Sequence, residues 1–179
     1  MIKLINNFLS KNQILVGKEK SNLKLNSKSN SNTISKEEAI KIIENTSPEK
    51  RKDIAKEIWL TSEILDELSY NVIWKSKTER SFTNELNNEK REGVYVTKAC
   101  GVEVFSSDDK FDSGTGWPSF TNVLNKDNII LKEDRKFGMK RVEVLSKYGE
   151  HLGHVFDDGP KEKGSKRWCI NGSALRFMP

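Results

Sequence analysis

Two kinds of hydrophobic spacing divide the chain, and the first is helical. In SKEEAIKIIEN, which starts at Ser35, acidic residues precede Ile40 and Ile43. Acids in a first turn followed by this spacing predict a helix. Ser47 followed by Pro48 predicts a second helix start, because serine caps helices and proline suits their first position. Behind it five apolar residues keep a helical spacing through two short helices: Ile54, Ile58, Ile64, Leu65 and Leu68.

From Gly93 onward the pattern changes to short runs rich in Val, Ile, Phe and Tyr that alternate with polar residues. The runs are GVYV, VEVF, NIILK, KRVEVL, HVF, RWCI and ALRF. Glycine and proline separate them, as at Gly101 and in Asp158-Gly159-Pro160, and such residues mark turns between strands. The sequence therefore predicts a mainly β, antiparallel domain that is preceded by helices.

The first 35 residues differ from the rest. Residues 1–17 are apolar and Asn-rich and contain no acid, whereas residues 18–35 are rich in Ser, Asn and Lys. The second stretch is too poor in apolar residues to offset the entropy of ordering. Two interpretations stay open: a disordered basic tail, or an organelle transit peptide, which the absence of arginine disfavours. The protein would be cytoplasmic in the first case and mitochondrial or plastid in the second.

Charge argues against nucleic acid as a partner. The chain carries a net charge of +5, and residues 1–35, with six lysines and one glutamate, account for all of it. Residues 36–179 therefore hold as many acidic as basic residues, whereas a nucleic-acid-binding domain carries its excess of Lys and Arg on the folded body. No run of 18 apolar residues occurs in the sequence, so we also expect no membrane-spanning segment.

The chain has two cysteines and two histidines, and all four are candidates for chemistry. Two cysteines are too few for a secreted disulfide scaffold and suit a reducing compartment. Cys169, in the strand-like RWCIN, is either an inert buried side chain or a thiolate whose pKa nearby Lys166 and Arg167 lower. His151 and His154 are either proton donors or surface residues. Together with the cysteines they fit no common zinc spacing.

A further candidate is the loop GTGWPSF, residues 114–120. Its glycines and proline predict a tight turn that presents the indole of Trp117, either to the core or to a ligand. The sequence lacks the Lys-Ser/Thr pair of a phosphate-binding loop. Ser119 could be drawn into a Ser–His–Asp triad, but no G-x-S-x-G motif supports a hydrolase.

Three motifs in this order, DSGTGWPSF, HLGHVFDDGP and RWCIN, resemble the B-type methionine sulfoxide reductases. The resemblance covers about residues 64–179 and implies a catalytic domain of two antiparallel sheets in a tent-like arrangement, with N-terminal helices packed outside. Residues 1–35 would then be a tail and residues 36–63 a helical extension. The implied activity is the reduction of methionine-R-sulfoxide in oxidised proteins. The enzyme would be a monomer without a cofactor, and its reductant a dithiol such as thioredoxin.

The same resemblance implies roles for individual residues. Cys169 would attack the sulfoxide sulfur while His154 protonates the sulfoxide oxygen. This chemistry suits the candidate residues, because a sulfoxide is a poor electrophile until its oxygen is protonated. The cysteine would become a sulfenic acid, which condenses with another thiol. The remaining implied site residues are His151 and Asn171 on the polar side and Trp117 and Phe120 against the substrate.

The chain departs from the family pattern in two respects. Many relatives carry a resolving cysteine where this chain has Thr115, which leaves Cys100 as the one other thiol that could resolve the sulfenic acid of Cys169. We favour direct reduction by an outside thiol instead. Many relatives also hold a structural zinc with two CxxC pairs, so this chain resembles a zinc-free branch and we expect no metal. The residues at those zinc positions are Thr97, Cys100, Ser146 and Gly149.

Two rival functions belong to other classes. A non-catalytic ligand-binding module of the same fold would not need Cys169, His154 and Asn171 together. A cysteine hydrolase that used Cys169 and His154 would need an oxyanion hole, and no motif in the sequence indicates one. The sequence therefore favours the reductase over both.

Overall fold

The structure is a computed structural model, and it describes residues 36–62, 65–135 and 138–179. All of these residues belong to one unit, Asn32–Pro179. The predictions for residues 1–35, a basic tail or a transit peptide, lie outside the described residues. No described helix combines the length and the apolar character that crossing a bilayer requires.

Three α-helices open the described part: α1 (Lys36–Glu44), α2 (Pro48–Ser62) and α3 (Glu67–Lys75). The first two begin where the acidic first turn and the Ser47-Pro48 pair predict. Asp66 caps α3, since its Oδ1 accepts a hydrogen bond from the Ser69 backbone N–H at 2.8 Å. This cap starts a new helix and resets the helical phase. Leu68, which the spacing placed with the apolar face, is therefore 47% exposed.

Nine strands follow in the described residues, and they form two antiparallel sheets, which confirms the predicted fold class. The smaller sheet has the strand order β2-β1-β9 and the larger one the order β3-β4-β8-β7-β6-β5. Their bounds are β1 Val94–Thr97, β2 Glu103–Ser106, β3 Lys110–Phe111, β4 Ser119–Phe120, β5 Ile129–Asp134, β6 Arg141–Ser146, β7 His151–Phe156, β8 Arg167–Ile170 and β9 Leu175–Met178.

An aromatic cluster joins the two sheets. Tyr95 and Phe105 come from the smaller sheet and Phe120 from the larger one, and all three have no exposed surface. The rings of Phe105 and Phe120 are stacked with centroids 4.4 Å apart, and Tyr95 meets Phe120 edge-on at 4.9 Å. Each such ring buries roughly 150–250 Å². The cluster therefore fixes β4, the strand that lies directly beside Cys169.

Candidate active site

Cys169 lies in the middle of the larger sheet, between two strands that also carry candidate residues. In the strand register, Cys169 lies opposite His154 on β7 and opposite Ser119 on β4. The strands β7 and β8 approach closely at Gly153, where a Cβ would overlap with the carbonyl oxygen of Cys169. The ladder thus brings together the two groups that the resemblance pairs as nucleophile and acid.

The Cys169 thiol is half-buried and faces a cleft of about 140 Å³. A larger cleft of about 660 Å³ lies around Arg91, Lys98 and Arg176, but it contains neither a cysteine nor a histidine. The smaller cleft is the candidate site because the candidate chemistry faces it. Its lining includes Trp117, Arg141, His154, Phe156, Cys169 and Asn171.

Burial is the strongest influence on Cys169, and it raises the pKa of the thiol. Arg167 opposes it through its charge and a hydrogen bond, and Thr115 through a hydrogen bond, yet the pKa stays above its ordinary value. Of the two interpretations of Cys169 that the sequence leaves open, the raised pKa does not support the one in which neighbouring cations lower it. Lys166, the other neighbouring cation, pairs with Asp157.

Arg167 is held rigidly beside the thiol. Its guanidinium donates two hydrogen bonds to Asp158, at 2.8 and 2.9 Å, and lies 4.5 Å from the centroid of the Phe156 ring. A two-pronged pair with a carboxylate restricts both position and orientation. The cation is therefore fixed where it can stabilise a thiolate on Cys169.

His154 is oriented by a carboxylate. Its Nε2 lies 2.9 Å from Oδ2 of Asp134, and the same oxygen accepts a hydrogen bond from Arg141 at 2.8 Å. Asp134 is 7% exposed, and the Arg141 cation compensates its charge there. The imidazole therefore has a fixed ring plane at the edge of the cleft.

His151 lies behind His154 and does not line the cleft. It is 2% exposed, its Nδ1 lies 2.7 Å from Oε1 of Glu143, and its ring meets the ring of His154 edge-on at 5.6 Å. A side chain in this position supports its neighbour and cannot itself touch a ligand in the cleft.

Asn171 lines the cleft, but both the oxygen and the nitrogen of its side-chain amide are hydrogen-bonded to the backbone. Oδ1 accepts a hydrogen bond from the Glu79 N–H at 3.0 Å, and Nδ2 donates one to the Leu152 carbonyl at 2.9 Å. The side chain is 3% exposed. Asn171 therefore ties the segment around Glu79 to strand β7, which carries His154.

Glu79 organises the site, and our sequence reasoning missed it. Its carboxylate is buried and accepts hydrogen bonds from the N–H groups of Gly172 and Ser173, both at 2.7 Å. Its backbone carbonyl accepts a hydrogen bond from Nε1 of Trp117 at 3.1 Å. Glu79 lies among polar and charged residues, and its residue pattern does not distinguish it from exposed glutamates.

The tight turn of residues 114–120 presents Trp117 to the cleft. Gly116 has a φ of 87°, in the region that favours glycine, and the ring of Phe82 packs where its Cβ would stand. Thr115 of the same turn hydrogen-bonds to Cys169. Of the two open interpretations of this loop, the structure favours the one in which the indole faces a ligand.

Three further candidates lie outside the cleft. Phe120 belongs to the aromatic core and has no exposed surface, so it supports the site from below and does not contact substrate. Cys100 is also fully buried, and its N–H donates a hydrogen bond to Glu150 at 2.9 Å. Ser119 has no exposed surface either, and its hydroxyl lies 2.8 Å from Ser113 Oγ rather than beside a histidine. These contacts give a Ser–His–Asp triad no support.

Comparisons with known proteins fit this geometry. The SelR domain model matches residues 65–179. A peptide methionine sulfoxide reductase MsrB of Methanosarcina barkeri (strain Fusaro / DSM 804) is 48% identical over 130 residues, which cover 72% of this chain and 89% of that protein. Another MsrB, of Methanosarcina mazei, is 50% identical over 115 residues, which cover 64% of this chain and 81% of that protein. The chain belongs to the SelR-domain family, that of the B-type peptide methionine sulfoxide reductases.

Proposed function

We propose that this protein reduces methionine-R-sulfoxide in oxidised proteins and that Cys169 is its nucleophile. Family membership supports methionine sulfoxide reduction as the activity. The observation that carries the choice of Cys169 is its place opposite His154 in the β7–β8 ladder, in a cleft that Trp117 also lines. A nucleophile, an acid and an apolar surface thus converge on the space for one small group.

The chemical step needs a proton on the sulfoxide oxygen and a thiolate at the sulfoxide sulfur. We assign the proton transfer to His154, whose ring Asp134 orients, and the attack to Sγ of Cys169. The sulfur–oxygen bond of the substrate breaks, the oxygen is transferred to Sγ, and the substrate leaves as a thioether. The substrate sulfur gains two electrons and Cys169 loses two, which leaves it as a sulfenic acid.

The raised pKa of Cys169 fits this step. Burial keeps the proton on the thiol before substrate binds. The reaction requires one proton in all, and the thiol can supply that proton through His154 as the sulfoxide oxygen accepts it. Arg167 then stabilises the thiolate that forms. The thiol and the sulfoxide together supply all the atoms and electrons of this step, so it needs no further reactant.

The two sides of the cleft support selection of one epimer. Trp117 offers an apolar surface for the S-methyl group, and His154 offers a proton for the oxygen. Because a sulfoxide sulfur is pyramidal, fixing its methyl group and its oxygen leaves one epimer with its sulfur accessible to Sγ. The assignment of the R epimer rests on the resemblance to the B-type enzymes.

Regeneration, in this proposal, uses an outside dithiol of the thioredoxin class. One thiol condenses with the sulfenic acid and releases water, and the second thiol then frees Cys169 from the mixed disulfide. The full burial of Cys100 supports an outside donor. The position of Thr115 beside Cys169 supports it as well, because many relatives carry their resolving cysteine there.

The test is turnover of racemic dabsyl-methionine sulfoxide with dithiothreitol as the reductant, followed by chromatography. We expect the natural protein to consume half of the racemate, the R epimer, and Cys169→Ser to consume none. Cys100→Ser is the matched control, since it removes the other thiol and should retain turnover. Consumption of both epimers, or turnover by Cys169→Ser, would contradict the proposal.

A further inference from the structure

A carboxyl group lies fully buried between two turns and takes no part in the mechanism above. Glu150 has no exposed surface. Its Oε1 accepts a hydrogen bond from the Cys100 N–H at 2.9 Å, and its Oε2 accepts one from Ser146 Oγ at 2.7 Å. The side chains of Thr97 and Cys100 also hydrogen-bond to it. Four groups therefore converge on one carboxyl.

The partners of Glu150 are residues that close the two turns. In the β1–β2 turn, the Thr97 N–H donates to the Val102 carbonyl at 2.8 Å, and Thr97 Oγ1 accepts from the Val102 N–H at 3.0 Å. In the β6–β7 turn, the Ser146 N–H donates to the Glu150 carbonyl at 2.9 Å, and Ser146 Oγ accepts from the Glu150 N–H at 3.2 Å. One side chain thus bridges two closed turns from different sheets.

The same four positions would hold zinc in many relatives of the chain, and the residues here do not fit that metal. Zinc in structural sites takes thiolate, imidazole or carboxylate ligands. Thr97 and Ser146 offer hydroxyls and Gly149 has no side chain, so Cys100 is the one thiol of the set. Glu150 already engages that thiol. No group of three or more His, Cys, Asp or Glu side chains suited to a metal occurs among the described residues.

We propose that the Glu150 carboxyl cross-links the β1–β2 and β6–β7 turns in place of a metal and thereby positions strand β7 for catalysis. The positioning part rests on the proposed function of His154. Glu150 immediately precedes β7, the strand that carries both histidines. The ladder between β6 and β7 is irregular at this end, between Val144 and Leu145, so regular strand pairing alone does not fix the start of β7.

Burial and hydrogen bonding act on the Glu150 carboxyl in opposite directions, because the hydrogen bonds from Ser146, Thr97 and Cys100 lower its pKa. Burial raises the pKa of Glu150, which favours the form that carries a proton. The cations of Arg51 and Lys52 on α2 face the same region, but the hydrogen bonds on the carboxyl come from the two turns. The four hydrogen bonds reduce the cost of burying this carboxyl.

The cross-link has a consequence for Cys100. Its N–H and its thiol are both held by Glu150, and burial strongly raises the pKa of the thiol. Freeing Cys100 to attack a sulfenic acid would break the cross-link. This is a further reason to expect an outside reductant.

The test compares Glu150→Ala, Glu150→Gln and Ser146→Ala with the control Glu162→Ala, an exposed glutamate outside both turns. Thermal melting is followed with and without EDTA, and zinc is measured by elemental analysis. We expect Glu150→Ala to lower the melting temperature by about 10 °C, because several buried groups lose their partner. Ser146→Ala should lower it by about 2–5 °C, Glu150→Gln by an amount in between, and the control should not change it.

The positioning role is tested by single-turnover oxidation of Cys169 at a temperature where every variant is folded. We expect the rate to fall about tenfold or more in Glu150→Ala and to recover largely in Glu150→Gln. KM from steady-state turnover should stay within about threefold, because Trp117 is held by Glu79. If Glu150→Ala does not fold, the melting temperatures and single-turnover rates of Glu150→Gln and Ser146→Ala are compared with those of the control instead.

Three results would overturn the proposal. Glu150→Ala could have the same melting temperature as the control, or the natural protein could hold one zinc per chain and melt at a lower temperature in EDTA. The third is a destabilised variant that keeps the full single-turnover rate. The first two refute the cross-link and the third refutes the positioning. Absence of turnover in the natural protein would instead refute the proposed function, and the melting and zinc measurements would still test the cross-link.

Discussion

Replacing Arg167 with methionine tests how the nucleophile is activated. The guanidinium donates a hydrogen bond to Cys169 and lowers the pKa of its thiol, against burial, which raises it. Methionine keeps an unbranched apolar side chain but removes the charge, the donors and the guanidinium that lies over the Phe156 ring. Burial then acts with less opposition, so the pKa rises further and the thiolate fraction near pH 7.5 falls.

The magnitude follows from the contact. A hydrogen bond to a charged group contributes about 1.5–3 kcal/mol, and the lower end applies because water in the cleft screens the charge. Since about 1.4 kcal/mol corresponds to a factor of ten, we expect a thiolate fraction about tenfold lower. Alkylation of Cys169 by iodoacetamide, followed by mass spectrometry across a pH series, measures this fraction. The profile should move to higher pH and reach a similar plateau.

Lys166→Met is the matched control for Arg167→Met. Lys166 is a neighbouring cation that is half-exposed and paired with Asp157, so its removal should change the alkylation rate by less than about twofold. Coincident pH profiles for the natural protein and Arg167→Met would refute the argument that Arg167 opposes burial. A large effect of Lys166→Met would show instead that the net charge near β8 matters more than the hydrogen bond.

Further predictions concern the acid, the reductant and the core. His154→Ala should lower kcat for dabsyl-methionine-R-sulfoxide by about 10²–10⁴, the range for general acid catalysis, and a rate near that of the natural protein would exclude this role. After one equivalent of substrate, trapping of the sulfenic acid by dimedone in the folded protein and then thiol titration in denaturant should find one thiol lost, because Cys100 is buried in the fold; two lost would identify it as the resolving residue. Phe120→Ala should lower the free energy of unfolding by about 3–5 kcal/mol in a denaturant titration, and a smaller loss would place the ring outside the core.

The local elements could be predicted from the sequence because spacing reports which face of an element is buried. The start of α2 at Pro48 and strand β8 around Cys169 both follow from residue pattern alone. The strand order does not, because pairing between distant segments depends on contacts that no single run reveals. Strand β4 has two residues and follows glycines and a proline, so the sequence predicts a turn there. Its pairing with β8 places Ser119 beside Cys169.

The buried carboxylates were beyond sequence reasoning. Glu79 and Glu150 sit among charged and polar neighbours, and a glutamate in such a setting is usually exposed. What buries Glu79 is a pair of backbone N–H groups more than 90 residues away, at Gly172 and Ser173. What buries Glu150 is a turn 50 residues away, at Cys100. Partners so distant along the chain become visible when the fold brings them together.

The pKa of Cys169 changes how the site is understood. The sequence leaves open whether Cys169 is a buried thiol or a thiolate beside two cations. Burial in a central strand raises the pKa of the thiol, although Arg167 opposes it. A resting thiolate would be open to alkylation and oxidation without substrate. A thiol that keeps its proton until a sulfoxide accepts it reacts when its target is bound. In the mechanism we propose, Arg167, Thr115 and His154 act on a proton transfer that the substrate itself initiates, which would tie reactivity to recognition of the sulfoxide.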